Sequence, residues 1–449
     1  MQSALSAIEE RLDEPTAKGL AAAVTRAVRD GVLAPGAALP PIRTIAHELA
    51  LSPTTVSSAW AILGRAGAVR TAGRRGSFVA EEQRGSGDGR YRQVVDHPAP
   101  YDLDLSTGVP DEGLLPSLRP ALRALTTAGT PRSYLDDPVL PELRELLLAS
   151  WPYDAPALTL VDGALDGLDL VIRTTIRYGD RVVVEHPTFP PLLDLLESAG
   201  ADVVGVPLDE EGLVPAALEE VLTGPVQALF LQPRAQNPTG ISMTSRRVRR
   251  LGKALRAREF LIVEDDSTSA ISTAPETSMG TLLPDRTVHL RSFSKSHGPD
   301  LRLAAMSGPE DVIGAVTRLR QLGQGWSSRL LQRVLVELLS DSGTVRVVEQ
   351  AAAAYADRRQ RFAEVLAAHG IDRPVGDGLN AWVPVTDETG ALVRLAAQGI
   401  GVAPGAPFRV LPDSGHVRVT VGLLGDRLEE VASAVAIAAR ASGRRPGSR

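Results

Sequence analysis

The chain contains no cysteine, which excludes disulfides, thiolate nucleophiles and cysteine-ligated metals. No stretch offers 18 consecutive apolar residues, so no membrane-spanning helix is expected. The opening "MQSALSAIEERLDEP" is charged where a signal peptide would be apolar, which makes a cytoplasmic protein the expectation. Lysine is scarce too: of 48 Lys+Arg, only Lys18, Lys253 and Lys295 are lysine. Where a positive charge suffices the sequence writes arginine, so a lysine at "RSFSKSHGPDLRLA" (291–304) calls for a chemical reason.

The 449 residues are 43% hydrophobic and 23% charged, enough to build two or three packed domains. The net charge is −6, yet residues 1–80 hold nine Arg/Lys against six Asp/Glu, which gives +3 there and −9 elsewhere. This asymmetry points to a small basic module joined to a larger acidic one. The polar run "EEQRGSGDGRYRQVVDHP" (81–98) has no periodic apolar face and reads as a linker, dividing residues 1–80 from 99–449.

In the first part, residues 16–30 place Leu20, Val24, Ala27 and Val28 on one helical face. The segment 42–50 repeats the pattern, and a further helix follows with Ser52 as its cap and Pro53 in its first turn. "AVRTAGRRGSFVA" then alternates like a β-hairpin wing. A tight turn between two helices suits a helix-turn-helix in a DNA major groove. Thr54, Thr55, Ser57 and Ser58 are offered to phosphates or base edges, with Val56, Trp60 and Leu63 on the core face. Arg70, Arg74 and Arg75 surround the wing tip. A small three-helix domain with a solvated basic loop fits the same periodicity.

Beyond the linker, "RVVVEHP", "ALFLQP", "FLIVEDD" and "TVHLRSFSK" read as buried strands alternating with helices such as "ALDGLDLVIRTTI" and "RRVRRLGKALRAR". Alternation of this kind implies an α/β domain with a mainly parallel sheet, whose ligands bind beyond the carboxyl ends of the strands. Residues 331–440 are richer in helix and are expected to form a smaller lobe.

A lysine amine can lose its proton and attack an aldehyde to give a Schiff base, which a guanidinium cannot do. Pyridoxal 5′-phosphate (PLP) is the biological aldehyde that most often uses such a lysine. It also needs a carboxylate for its pyridine nitrogen, donors for its phosphate, a stacking ring and a partner for its 3′-oxygen. Asp265 or Asp266 supplies the first; Ser292, Ser294, Arg302 and the Gly163–Ala164 helix start supply the second. Phe189 and Asn237 serve the last two. Each alone has an ordinary reading as helix cap, turn or core; their convergence around Lys295 does not.

The module "LPPIRTIAHELALSPTTVSSAWAILGRAGAVRTAGRRGSFVA" resembles the GntR-type winged helix, which implies DNA contacts from Arg43, from the recognition-helix start at Ser52 and from the wing, with Pro53 where many members have arginine. Residues from about 100 to 440 resemble the fold-type I PLP-dependent transferases of the aspartate aminotransferase family. The resemblance rests on "LSTGVPDEGLLP", Tyr134, "NPTG", "VEDD", "SFSK" with Arg302, and "VRVTVG". It implies a large and a small lobe, an internal aldimine at Lys295, and pairing of Asp265 with the pyridine nitrogen. It further implies stacking by Phe189, a 3′-oxygen contact from Asn237, and a phosphate site at Gly163, Ala164, Ser292 and Arg302. Tyr134 would come from a partner subunit of a homodimer, and Arg418 would take an effector carboxylate. One departure is Ser267, where the family usually has a tyrosine that reaches the 3′-oxygen.

The fusion resembles the MocR/GabR group of bacterial regulators, and "PRAQNPTG" with "SKSHGPDLRLA" is closer to members linked to vitamin B6 or to uncharacterised targets than to the GABA-responsive type. That resemblance implies a regulator that binds a double-stranded DNA operator and senses PLP or an amino compound through aldimine chemistry at Lys295. Two other readings stay open behind it: a working aminotransferase with an accessory DNA-binding module, and a DNA-binding dimer whose large domain has lost PLP.

Overall fold

A computed structural model describes the chain apart from residues 1, 30–31, 35, 66–68, 72–75, 80–88, 96–100, 126–132, 134–135, 373–375 and 441–449. Two compact units emerge. One comprises Met1–Gly89 with Ile176–Asp180 and Asp194–Asp202; the other comprises Arg90–Thr175, Arg181–Leu193 and Val203–Arg449.

In the first unit, helices α1 (Gln2–Glu9), α2 (Ala17–Arg29), α3 (Ile42–Glu48) and α4 (Pro53–Arg65) precede strands β1 (Val69–Thr71) and β2 (Ser77–Val79). The strands pair antiparallel, Val69 opposite Val79, as a wing requires. Leu20, Val24, Ile45, Val56 and Leu63 are fully buried, each contributing about 1.5–3 kcal/mol by leaving water. Ser52 Oγ accepts the Thr55 N–H at 3.0 Å, so α4 starts where a capping serine followed by proline dictates. Helix α1 is an addition to the sequence reading. Its eight residues are too few for a periodicity argument, and tertiary packing of Ala4, Ala7 and Ile8 holds it.

The predicted linker contains a short helix, α5 (Arg90–Val95). Val94 is buried in a cluster with Ala403 and Phe408, and Arg90 Nη1 donates to the Arg409 carbonyl at 2.9 Å. One buried valine leaves no repeating pattern, so these residues read as solvated chain in the sequence.

The second unit is built on two sheets. Short strands β3 (Leu103–Leu105), β4 (Ala157–Val161), β5 (Arg181–His186), β6 (Asp202–Asp209) and β7 (Gly212–Leu213) are followed by β8 (Ala228–Leu231), β9 (Leu261–Asp266), β10 (Thr287–Ser292) and β11 (Ala304–Gly308). Strands β12 (Ala381–Pro384), β13 (Ile400–Pro404) and β14 (His416–Val419) complete the set. Among the described residues the larger sheet has eight strands in the order β4-β11-β10-β9-β8-β5-β6-β7. β5, β8, β9 and β10 run parallel, while β11 is antiparallel to both of its neighbours. Val182–Val184 and Ala228–Leu231 are almost entirely buried, as strands covered on both faces must be.

The smaller sheet runs β12-β14-β13-β3. Its core joins Val383, Val402, Val417 and Val419 to the helices Ser342–Ala368 and Leu428–Arg440. β3 comes from residues 103–105, far outside the 331–440 segment, and pairs parallel with β13. A three-residue strand carries too little alternation to announce this partner.

Candidate cofactor site and nucleic-acid interface

The parallel strands β5, β8, β9 and β10 end at one edge, and the polar residues found there converge. Lys295 lies in the turn after β10 and is half-buried. Desolvation by the surrounding protein lowers its pKa, with Arg418 acting in the same direction against Asp265 and Asp266. The amine therefore sheds its proton more readily than an exposed lysine would.

Asp265 and Asp266 end β9, and strand alternation sends them to opposite faces of the sheet. Asp266 Oδ2 is held by Arg234 Nη2 at 2.5 Å, a buried structural pair. Asp265 is also buried, but only its Oδ2 is used, accepting from Gln232 Nε2 at 2.6 Å. Its Oδ1 has no hydrogen-bond partner among the described residues. Burial pushes this carboxyl up to about 6, against the opposing Gln232 hydrogen bond and the nearby Lys295 charge. An unpartnered buried carboxylate oxygen is costly, and a protonated ring nitrogen would satisfy it.

Asn237 is buried; its N–H donates to Gln232 Oε1 at 2.8 Å and its Oδ1 accepts from Arg418 Nη1 at 3.1 Å. Arg418, on β14, also donates from Nη2 to the Ser106 carbonyl and sits 5.1 Å above the Phe408 ring. No carboxylate among the described residues lies within 4.0 Å of its guanidinium, and burial lowers its pKa to about 10. A buried arginine without a carboxylate partner is suited to an incoming anion. Phe189 is half-buried and lines a small cavity with Thr188, Gln232 and Asp265.

A second cluster suits a phosphate. Gly163 has φ +107° and precedes the helix Ala164–Thr175, whose first N–H groups have no intrahelical acceptor. A methyl group added at Gly163 would lie 3.1 Å from Arg302 Nη2, so the guanidinium sits directly against this glycine. Ser292 is buried, and its Oγ accepts from the N–H of the half-buried Ser294 at 3.3 Å. Helix start, arginine and hydroxyls are the donor set that the PLP phosphate requires, and PLP fits the residues present. Tyr134 lies outside the described residues.

Two members of the site escaped the sequence reading. Gln232 follows β8 directly, and Glu185 sits near the end of β5, where burial pushes its carboxyl up to about 8. Both are polar residues at the end of a buried strand, the same signal that singled out Asp265. Ser267 is half-buried with its Oγ 3.4 Å from Gln232 Nε2.

On the first unit, Arg43, Ser52, Thr54 and Ser57 are exposed, while Thr55 is half-buried. Ser52 Oγ lies 2.7 Å from Thr54 Oγ1 and 2.8 Å from Thr55 Oγ1, so three of the proposed hydroxyls are tied into the helix start. Arg70 is in β1 opposite Phe78; its side chain and all of Arg74 and Arg75 lie outside the described residues.

Comparison with known proteins gives two family matches: the gntR family of bacterial regulatory proteins over residues 16–79, and aminotransferase class I and II over residues 101–435. The chain is similar to the vitamin B6 salvage pathway transcriptional repressor PtsJ of Salmonella typhimurium. Identity is 33% over 422 residues, covering 92% of this chain and 96% of that protein. It is 28% identical to the pyridoxine biosynthesis transcriptional regulator PdxR of Corynebacterium glutamicum, covering 84% of this chain and 85% of PdxR. Among solved structures, Pyrococcus horikoshii kynurenine aminotransferase superposes with a TM-score of 0.69 at 24% identity, over 76% of this chain and 91% of the other. At that identity the likeness speaks to the fold.

Proposed function

We infer that this chain, which belongs to the MocR/GabR-type regulators uniting a gntR-family winged helix with an aminotransferase class I and II domain, is a PLP-dependent transcriptional regulator. Residues 1–80 bind operator DNA, 81–98 connect, and 99–449 form the effector domain. The regulator works as a homodimer in the cytoplasm, where its DNA lies, because a two-fold protein reads two half-sites at once.

Bound PLP supplies an aldehyde that bonds covalently to an amine, together with a ring that withdraws electrons. Lys295 offers that amine in a setting that favours its neutral form. Asp265 Oδ1 would accept a hydrogen bond from the protonated ring nitrogen, and Gly163, Ala164, Ser292, Ser294 and Arg302 would hold the phosphate. Phe189 stacks on the ring and Asn237 reaches the 3′-oxygen. Arg418 seats a carboxylate, so an amino acid is one effector class; the names of the vitamin B6 relatives favour PLP itself as the signal. Either ligand regulates DNA binding only by binding two arrangements of the dimer unequally.

The observation that carries this reading is the buried, unpartnered Oδ1 of Asp265, a carboxylate that interacts electrostatically with Lys295, in a chain that also has a winged helix. Operator affinity is to be measured with and without PLP, for wild type and Lys295→Ala. PLP changes the wild-type affinity, and the variant binds DNA without that response. Equal responses in both proteins would sink the assignment.

The buried guanidinium of Arg418, hydrogen-bonded to Asn237 and without a carboxylate partner among the described residues, also suits a second reading, an active aminotransferase with an accessory DNA-binding module. Repeated turnover of an amino acid and an oxo acid without DNA would establish it. Ser267, too short to replace the usual tyrosine, argues for weak turnover.

A further inference from the structure

Gln232 is only 5% exposed, and both polar atoms of its side chain are used. Nε2 donates to Asp265 Oδ2 at 2.6 Å, and Oε1 accepts the Asn237 N–H at 2.8 Å. The residue is itself anchored, because its backbone N–H donates to the buried Glu185 Oε2 at 3.0 Å. The amide also approaches Ser267 Oγ at 3.4 Å. One amide therefore joins the group assigned to the ring nitrogen and the group assigned to the 3′-oxygen.

We propose that Gln232 is a positioning residue for the cofactor ring, locking Asp265 so that Oδ1 meets the ring nitrogen and fixing Asn237 at the opposite edge. The inference rests on the cofactor reading above. Turning the carboxylate would break a charge-assisted hydrogen bond to Oδ2, so the free oxygen stays at one place. The same hydrogen bond favours the ionised carboxylate, while burial opposes it. Without the amide, Asp265 gains a proton more easily and the ring nitrogen loses its anionic partner near neutral pH. An uncharged ring nitrogen withdraws fewer electrons from the covalent linkage at Lys295, so that linkage holds its proton to higher pH.

The test uses the full-length protein with added PLP, comparing wild type, Gln232→Leu and the isosteric Gln232→Glu. Three readouts apply: PLP affinity, the pH midpoint of the bound cofactor's absorbance change, and thermal unfolding of the protein without cofactor. Both variants are expected to bind PLP about tenfold or more weakly, the scale of one hydrogen bond to a charged group. Their absorbance midpoint moves to higher pH whether or not the unfolding of the cofactor-free protein changes. Unchanged affinity and midpoint in variants of a wild type that does load would overturn this inference alone. Weakened affinity that tracks lowered thermal stability with no midpoint change would also overturn it, leaving Gln232 a packing residue. A wild type that never takes up PLP would overturn the cofactor reading as well.

Discussion

Replacing Gly163 by alanine probes the phosphate cradle at one backbone position. The residue sits at φ +107°, a conformation that costs an L-residue about 1–3 kcal/mol, and this part falls on folding. The new methyl group would lie 3.1 Å from Arg302 Nη2 and 3.3 Å from Cζ, tight enough that the guanidinium must give way by a few tenths of an ångström. Arg302 is exposed and has room to do so, which places the second cost on binding. Losing one charge-assisted contact to a phosphate is worth about 1.5–3 kcal/mol, or roughly 10–150-fold in affinity. The assay is absorbance titration of the full-length protein with PLP and, in parallel, with pyridoxal, which lacks the phosphate. Gly163→Ala weakens PLP by that factor and leaves pyridoxal nearly unchanged. An unaltered ratio of the two affinities would refute a phosphate site at this helix start.

Arg43→Ala is expected to weaken operator and non-operator DNA alike and to reduce the salt dependence of binding by about one counterion, measured across a salt series. Ser52→Ala removes the cap of α4 and its ties to Thr54 and Thr55. It should cost about 1 kcal/mol of stability, seen as a lower unfolding midpoint of the winged-helix signal. His297 is buried, and desolvation lowers it from 6.5 to about 4, so the folded chain stays neutral where the unfolded chain takes a proton. Its contribution is complete above pH 6.5 and is lost as pH falls toward 4, about 3 kcal/mol at 1.36 kcal/mol per pH unit. Denaturant melts of His297→Gln should therefore show a shallower loss of stability than wild type across that range.

What could be read from the sequence follows the strength of local signals. The strands β5, β8, β9 and β10 are short runs of β-branched and aliphatic residues, and because they pair parallel their polar carboxyl ends share one edge. Asp265 could not be separated from Asp266 by sequence; the pleat of β9 and the partner Arg234 make the division. Gln232 and Glu185 stayed hidden because a polar residue after a buried strand is also the ordinary start of a turn. Only the paired distances to Asp265 and Asn237 distinguish Gln232 from that. Helix α1, helix α5 and strand β3 were illegible for a different reason. Each is held by distant packing or pairing, which no window of six to eight residues can display.

The central claim is that Lys295, alone among three lysines, holds the cofactor of a DNA-binding regulator. Borohydride reduction of the PLP-loaded protein, followed by peptide mass mapping, addresses it directly. The account predicts a pyridoxyl modification on the Lys295 peptide and none in Lys295→Ala, which still binds DNA. Modification at Lys18 or Lys253, or undiminished labelling of Lys295→Ala, would contradict it.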